Sequence, residues 1–134
     1  MPLTWNDCLS VGIPEIDLQH QCLVSMINEL HDALKKEHSR DLLLKRVEQL
    51  IVQTQEHFDT EEHWLHIHSY PEAESHRQCH QELLKRITDF MDDVESGNHG
   101  VDIKFCLFLS DWLEIHLKEE DQRYSRYFKD QDIT

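Results

Sequence analysis

Seven residues of this 134-residue chain have the type and spacing to do chemistry: His20, His57 with Glu61, His76 with His80, and His116 with Asp121. His57 and Glu61 stand four apart, as do His76 and His80. On a helix that spacing stacks two side chains on one face, one turn apart. Their neighbours at helical spacing are apolar. His20 shares a face with Leu23 and Ile27, Glu61 with Leu50 and Trp64, and His80 with Leu83 and Ile87; His116 follows Trp112 by four. A lone histidine on such a stripe is ordinarily a hydrogen-bonded core residue. Five histidines and a carboxylate aimed at one interior from four helices are different, because each costs several kcal/mol if left unpartnered. A shared cation removes that cost. Imidazole and carboxylate without thiolate suit iron, and also zinc or manganese.

Asp121 fits less simply. It follows His116 by five residues, about 140° around an ideal helix. A wide bundle centre accommodates both side chains, and so does a local π-bulge, a device frequent at functional sites. The alternative is a solvated charge beside Glu119 and Glu120, and periodicity does not choose.

Four helices must position these groups. Segment A, about 15–37, carries His20, Leu23, Ile27, Leu30 and Leu34 at steps of three and four. Segment B, about 41–67, carries Leu43, Val47, Leu50, Thr54, His57, Glu61 and Trp64 in the same rhythm. Segment C, about 71–95, carries His76, His80, Leu83, Ile87, Phe90 and Val94. Segment D, about 102–128, carries Phe105, Leu109, Trp112, His116, Tyr124 and Phe128. These are amphipathic helix patterns. Ser39-Arg40-Asp41 offers caps between A and B. Pro71 is expected at the start of C, where a missing N–H costs nothing. Ser96-Gly97-Asn98-His99-Gly100 separates C from D. Short connections between long helices predict an all-α, up-down-up-down antiparallel four-helix bundle. Residues 1–14 form an irregular arm, with Trp5, Leu9, Val11 and Ile13 available to lie over the core.

Composition agrees and narrows the function. The length is one domain's worth, 1–134. Three Gly and three Pro are few for a turn-rich sheet protein. A formal charge of -14, from 13 Lys+Arg and 27 Asp+Glu, disfavours nucleic acid and anionic membrane surfaces as partners. The longest apolar runs, Leu42–Leu44 and Phe105–Leu109, are far short of a bilayer span. The first residues show no basic or apolar leader region, so a cytoplasmic location is expected. Cys8, Cys22, Cys79 and Cys106 form no CxxC pair and are expected as free thiols packed as small hydrophobes. His31, His38, His63, His66 and His99 are expected at the surface.

The sequence resembles the hemerythrin family in its single-domain bacterial form. The residues carrying the likeness are Trp5, Val11-Gly12-Ile13-Pro14-Glu15-Ile16-Asp17-Leu18-Gln19-His20, and Asn28-Glu29-Leu30. It continues through His57-Phe58-Asp59-Thr60-Glu61-Glu62, Tyr70-Pro71, His76-Arg77-Gln78-Cys79-His80, and Trp112-Leu113-Glu114-Ile115-His116 to Asp121. Nearly the whole chain is covered, and the joint pattern is highly specific. The resemblance makes Asp121 a ligand. It implies that His76, His80 and His116 hold one iron and His20 and His57 the other. Glu61, Asp121 and an oxo or hydroxo group would bridge them, leaving the second iron five-coordinate. It also implies reversible binding of O2 there as hydroperoxide, for carriage, storage or buffering, in a pocket of Leu23, Phe58, Trp112, Leu113 and Leu117. No catalytic residue is implied.

Two other readings stay open beside oxygen binding. One is an O2, redox or iron sensor acting through a partner protein. The other is a di-iron enzyme acting on O2, peroxide or NO, against which five histidines and two carboxylates argue, since ferritin-like oxidases use four carboxylates. The departures from the family pattern are Leu65 in place of Met, His68 in place of an aromatic or apolar residue, Ser69 in place of Gly, and Cys79 between two ligand histidines. His68 is expected to pair locally, and the charges from Glu114 to Glu120 to form a wet face.

Overall fold

A computed structural model of the chain describes residues 3–36, 39–97 and 100–133. Helix α1 spans Pro14–Lys35, α2 Arg40–Ile67, α3 Ala73–Glu95 and α4 Ile103–Ile115; a π-helical turn, His116–Glu120, then joins α4 to α5, Asp121–Asp130. The last three pieces are one continuous fourth rod, so the architecture is the expected antiparallel four-helix bundle. Helix α1 packs on α2 and α4, and α2 on α3. Phe90 and Phe105 close the α3–α4 side with parallel rings 4.0 Å apart. Among the described residues no helix is long and apolar enough to cross a membrane.

Local chemistry sets the helix ends. Pro14 opens α1, where its fixed φ costs nothing. Ser39 caps α2 by accepting from the Leu42 N–H, and Asp102 caps α4 by accepting from the Phe105 N–H at 3.0 Å. Pro71 does not begin α3, contrary to the sequence expectation. Helix α2 ends in a reversal in which the Tyr70 N–H reaches back to the Leu65 carbonyl and Ser69 adopts φ +53°. That reversal consumes residues 69–72, and the helix starts at Ala73. The expected end of segment A at residue 37 and the turn residues 98–99 lie outside the described residues.

The core has two apolar clusters. The larger includes Leu23, Val24, Ile27 and Leu30 of α1, Val47, Leu50 and Phe58 of α2, Leu83 and Ile87 of α3, and Leu109 and Leu113 of α4. The smaller joins Val11, Ile13 and Ile16 to Leu65, Tyr70, Tyr124 and Phe128. The arm is therefore part of the core, and it includes a single 3-10 turn, Asp7–Leu9. Asn28 pins its start by accepting from the Leu3 N–H at 2.9 Å and donating to the Leu3 carbonyl at 2.8 Å. Asp17 pins its end through the Val11 N–H at 2.9 Å and the Ser10 hydroxyl. Gly12 makes the last bend at φ +80°, a conformation that disfavours any Cβ.

Candidate metal centre

The six residues picked out by spacing and Asp121, named by the resemblance, meet in one buried space between the two clusters. His20, His57, Glu61, His80, His116 and Asp121 are almost wholly inaccessible, and His76 is 7% exposed. Helix α1 contributes His20, α2 His57 and Glu61, α3 His76 and His80, and the π turn with α5 supplies His116 and Asp121.

Glu61 organises the group. Its Oε2 lies 3.0 Å from His57 Nε2 and 3.3 Å from His20 Nε2. Its Oε1 lies 2.7 Å from His76 Nε2, 3.0 Å from His80 Nε2 and 3.4 Å from His116 Nε2. One carboxylate thus gives one oxygen to each of two histidine sets. Asp121 also spans them, with Oδ2 2.9 Å from both His20 and His116 and Oδ1 3.3 Å from His76. Potential ligand atoms fall in two compact groups, His20/His57/Glu61/His116/Asp121 and Glu61/His76/His80/His116. His116 and Glu61 belong to both.

The π turn settles the placing of Asp121. The Asp121 N–H bonds the His116 carbonyl, five residues back, so the wider turn returns residue 121 to the face of residue 116. An uninterrupted α-helix would have separated them by more than a third of a turn.

The donor chemistry fits a cation and little else. His80 Nδ1 lies 3.1 Å from Glu62 Oε2, and His116 Nδ1 3.1 Å from Glu120 Oε2. Carboxylates only accept, so each Nδ1 carries the proton and each Nε2 turns a lone pair inward. His57 Nδ1 lies 3.0 Å from Gln19 Oε1 in the same arrangement. The inward Nε2 atoms of His57, His80 and His116 and both Asp121 oxygens make no hydrogen bond among the described residues, although they sit about one hydrogen-bond length from one another. Acceptors facing acceptors in a dry interior demand positive charge.

Without a metal, protons meet part of that demand. Burial would lower the His76 pKa, but the Asp121 and Glu61 carboxylates against its ring raise it to about 9. His20 and His116 are raised in the same way against their burial. Burial dominates at His57, whose pKa falls. Burial would push the Glu61 and Asp121 carboxyls up, yet the surrounding imidazoles hold both below the ordinary range.

Of the five expected pocket residues, Leu23, Phe58, Leu113 and Leu117 are fully buried and Trp112 is half-buried. Phe58 stacks on His80 with centroids 3.7 Å apart, and Trp112 stacks on His116 at 5.0 Å. The two large rings therefore brace imidazoles of the His76/His80/His116 set. Four participants escaped the sequence reading. Tyr124, read as an apolar residue, donates its buried hydroxyl to Glu61 Oε2 at 3.1 Å. Glu120 belongs to the site and not to a wet face; its spacing of four from His116 was a usable signal. Glu62 and Gln19 had no such signal, lying 18 and 38 residues from the histidines they accept from.

Other expectations resolve simply. His68 pairs locally, stacked on Trp64 and edge-on to Phe128, each at 5.4 Å. His63 and His66 are exposed and His31 is half-buried; His38 and His99 lie outside the described residues. Only Cys106 is buried as expected. Cys8, Cys22 and Cys79 are exposed, since their positions fall on outward faces.

The fold and this cluster define a four-helix-bundle protein with a buried imidazole–carboxylate metal centre. The chain belongs to the hemerythrin family: residues 11–128 match the hemerythrin HHE cation-binding domain. It is similar to the bacteriohemerythrin of Pseudomonas aeruginosa strain LESB58, 34% identical over 124 residues, 91% of this chain and 78% of that protein. The bacteriohemerythrin of Stenotrophomonas maltophilia is 30% identical over 127 residues, covering 95% and 82%. A crystal structure of wild-type hemerythrin superposes with a TM-score of 0.88 at 25% identity, covering 94% of this chain and 97% of that one.

Proposed function

We propose that the chain is a non-haem di-iron protein that binds O2 reversibly and is not an enzyme. The observation that carries this reading is the division of Glu61, one oxygen toward His20 and His57 and the other toward His76, His80 and His116. A carboxylate placed so suits a bridge between two cations. In this reading His76, His80 and His116 would hold one iron, His20 and His57 would hold the other, and Glu61 and Asp121 would be shared between them. When bound, the ferrous pair supplies the two electrons that O2 draws on reversibly.

The rest is work for the chain's own groups. The His20/His57 position is one imidazole short of the other, which leaves room for a diatomic ligand. Leu23, Phe58, Trp112, Leu113 and Leu117 keep the surroundings apolar, so water and stray protons are excluded. Tyr124 holds Glu61 Oε2 in place, and the Nδ1 partners fix the imidazole planes.

The test is iron content with the visible spectrum, followed through reduction, deoxygenation and re-exposure to air. Two irons per chain with a visible band that vanishes under vacuum and returns in air is the expected result. Two irons with a ferric spectrum that never cycles would move the assignment to a redox sensor or a di-iron enzyme. No iron would overturn the metal reading.

A further inference from the structure

The outer faces of the ligand imidazoles are not treated alike. His80 and His116 each donate Nδ1–H to a carboxylate, Glu62 and Glu120, at 3.1 Å. His57 donates to an amide oxygen, that of Gln19, at 3.0 Å. A short relay fixes the Gln19 orientation. The Thr60 hydroxyl donates to the Glu56 carbonyl at 3.0 Å, so its oxygen is free to accept from Gln19 Nε2, also at 3.0 Å. That leaves Gln19 Oε1 facing His57. His20 Nδ1 is buried with no hydrogen-bond partner among the described residues.

An imidazole that donates to a carboxylate gains electron density on its far nitrogen and becomes a stronger ligand. A neutral amide polarises the ring far less. With His116 placed in the His76/His80 set, as in the two-metal reading, the charged partners sit on one side of the centre. Glu62 and Glu120 are only partly shielded, with side chains 28% and 27% exposed, while the rings they touch are buried. The hydrogen bond carries their negative charge inward without burying it fully.

From this geometry we infer that Glu62, Glu120 and Gln19 are positioning residues that make the two metal positions unequal: the His76/His80/His116 position fills first and holds its ion more tightly, and the His20/His57 position, polarised only by Gln19, fills second and releases first. The inference rests on the two-metal reading above. It gives that reading a division of labour, with a strongly donating anchor position beside a weakly donating one kept for the exchangeable ligand.

The experiment uses the metal-free full-length chain and zinc ion alone as probe. Calorimetry measures the stepwise affinities, and nitrogen-15 spectra of labelled imidazoles report which histidines are occupied at one equivalent. Wild type should take zinc in two steps, the first perturbing His76, His80 and His116. Glu62→Gln and Glu120→Gln should each weaken the first step by about 10–100-fold. Gln19→Glu should act in the opposite sense and strengthen the second step about tenfold. A merely structural role would not reverse sign between these nearly isosteric changes, and circular dichroism of each metal-free variant checks folding. First occupation at His20 and His57, or an unchanged first step in both Glu variants, overturns the inference. Oxygen cycling of the iron-loaded wild type is scored separately. If zinc fills in the stated order but iron-loaded protein never cycles, the inference stands and oxygen binding falls. If zinc does not bind, both fall.

Discussion

Tyr124 donates its hydroxyl hydrogen to Glu61 Oε2 across 3.1 Å, with both side chains fully buried. The two residues lie 63 positions apart, and the bond ties the fourth rod of the bundle to the residue at the centre of the histidine cluster. Tyr124→Phe keeps the ring and removes the donor. A hydrogen bond to a charged group contributes roughly 1.5–3 kcal/mol. The variant should lose about that much stability in urea titration of the metal-free chain, with its helical content unchanged.

The π turn offers a sharper test of the site. Inserting one alanine after Lys118 leaves Asp121 six residues after His116 and rotates it, with everything beyond it, by about 100° relative to His116. Tyr124 and Phe128 would be carried off their buried face with it. Metal affinity should fall by more than the ~10–100-fold that follows loss of an outer partner. Calorimetry with zinc measures it, and an unchanged affinity would show that the register the turn sets for Asp121 is not needed.

Ser69 sits at φ +53° in the reversal after α2, a conformation costing a residue with a Cβ roughly 1–2 kcal/mol. Ser69→Gly removes that strain at the expense of a more flexible unfolded chain. A net gain of about 0.5–1 kcal/mol and a melting temperature a few degrees higher are expected by calorimetric scan.

The metal-free chain should lose stability on the alkaline side of neutrality. The folded His76 pKa of about 9 exceeds the ordinary 6.5, so its contribution is complete below pH 6.5 and is lost as pH rises through 9. His20 and His116 shift in the same direction. The urea midpoint should therefore fall between pH 7 and 9.5. Loading with metal should flatten that fall, because the cation replaces the protons.

The amino-acid sequence by itself determined the helices, their order and six inward-facing ligand candidates, His20, His57, Glu61, His76, His80 and His116. The reason is periodic: a spacing of three or four fixes a helical face whatever lies opposite, and a polar residue on an apolar face is visible without coordinates. Glu120 was legible on the same terms, four residues after His116. Tertiary structure alone decided what crosses between helices. Gln19 reaches His57, Glu62 reaches His80, and Tyr124 reaches Glu61, through pairings that no local spacing encodes. It decided the placing of Asp121 too. Five residues on an α-helix face away and five on a π turn face together, and the turn forms here with both residues inside the buried imidazole–carboxylate cluster.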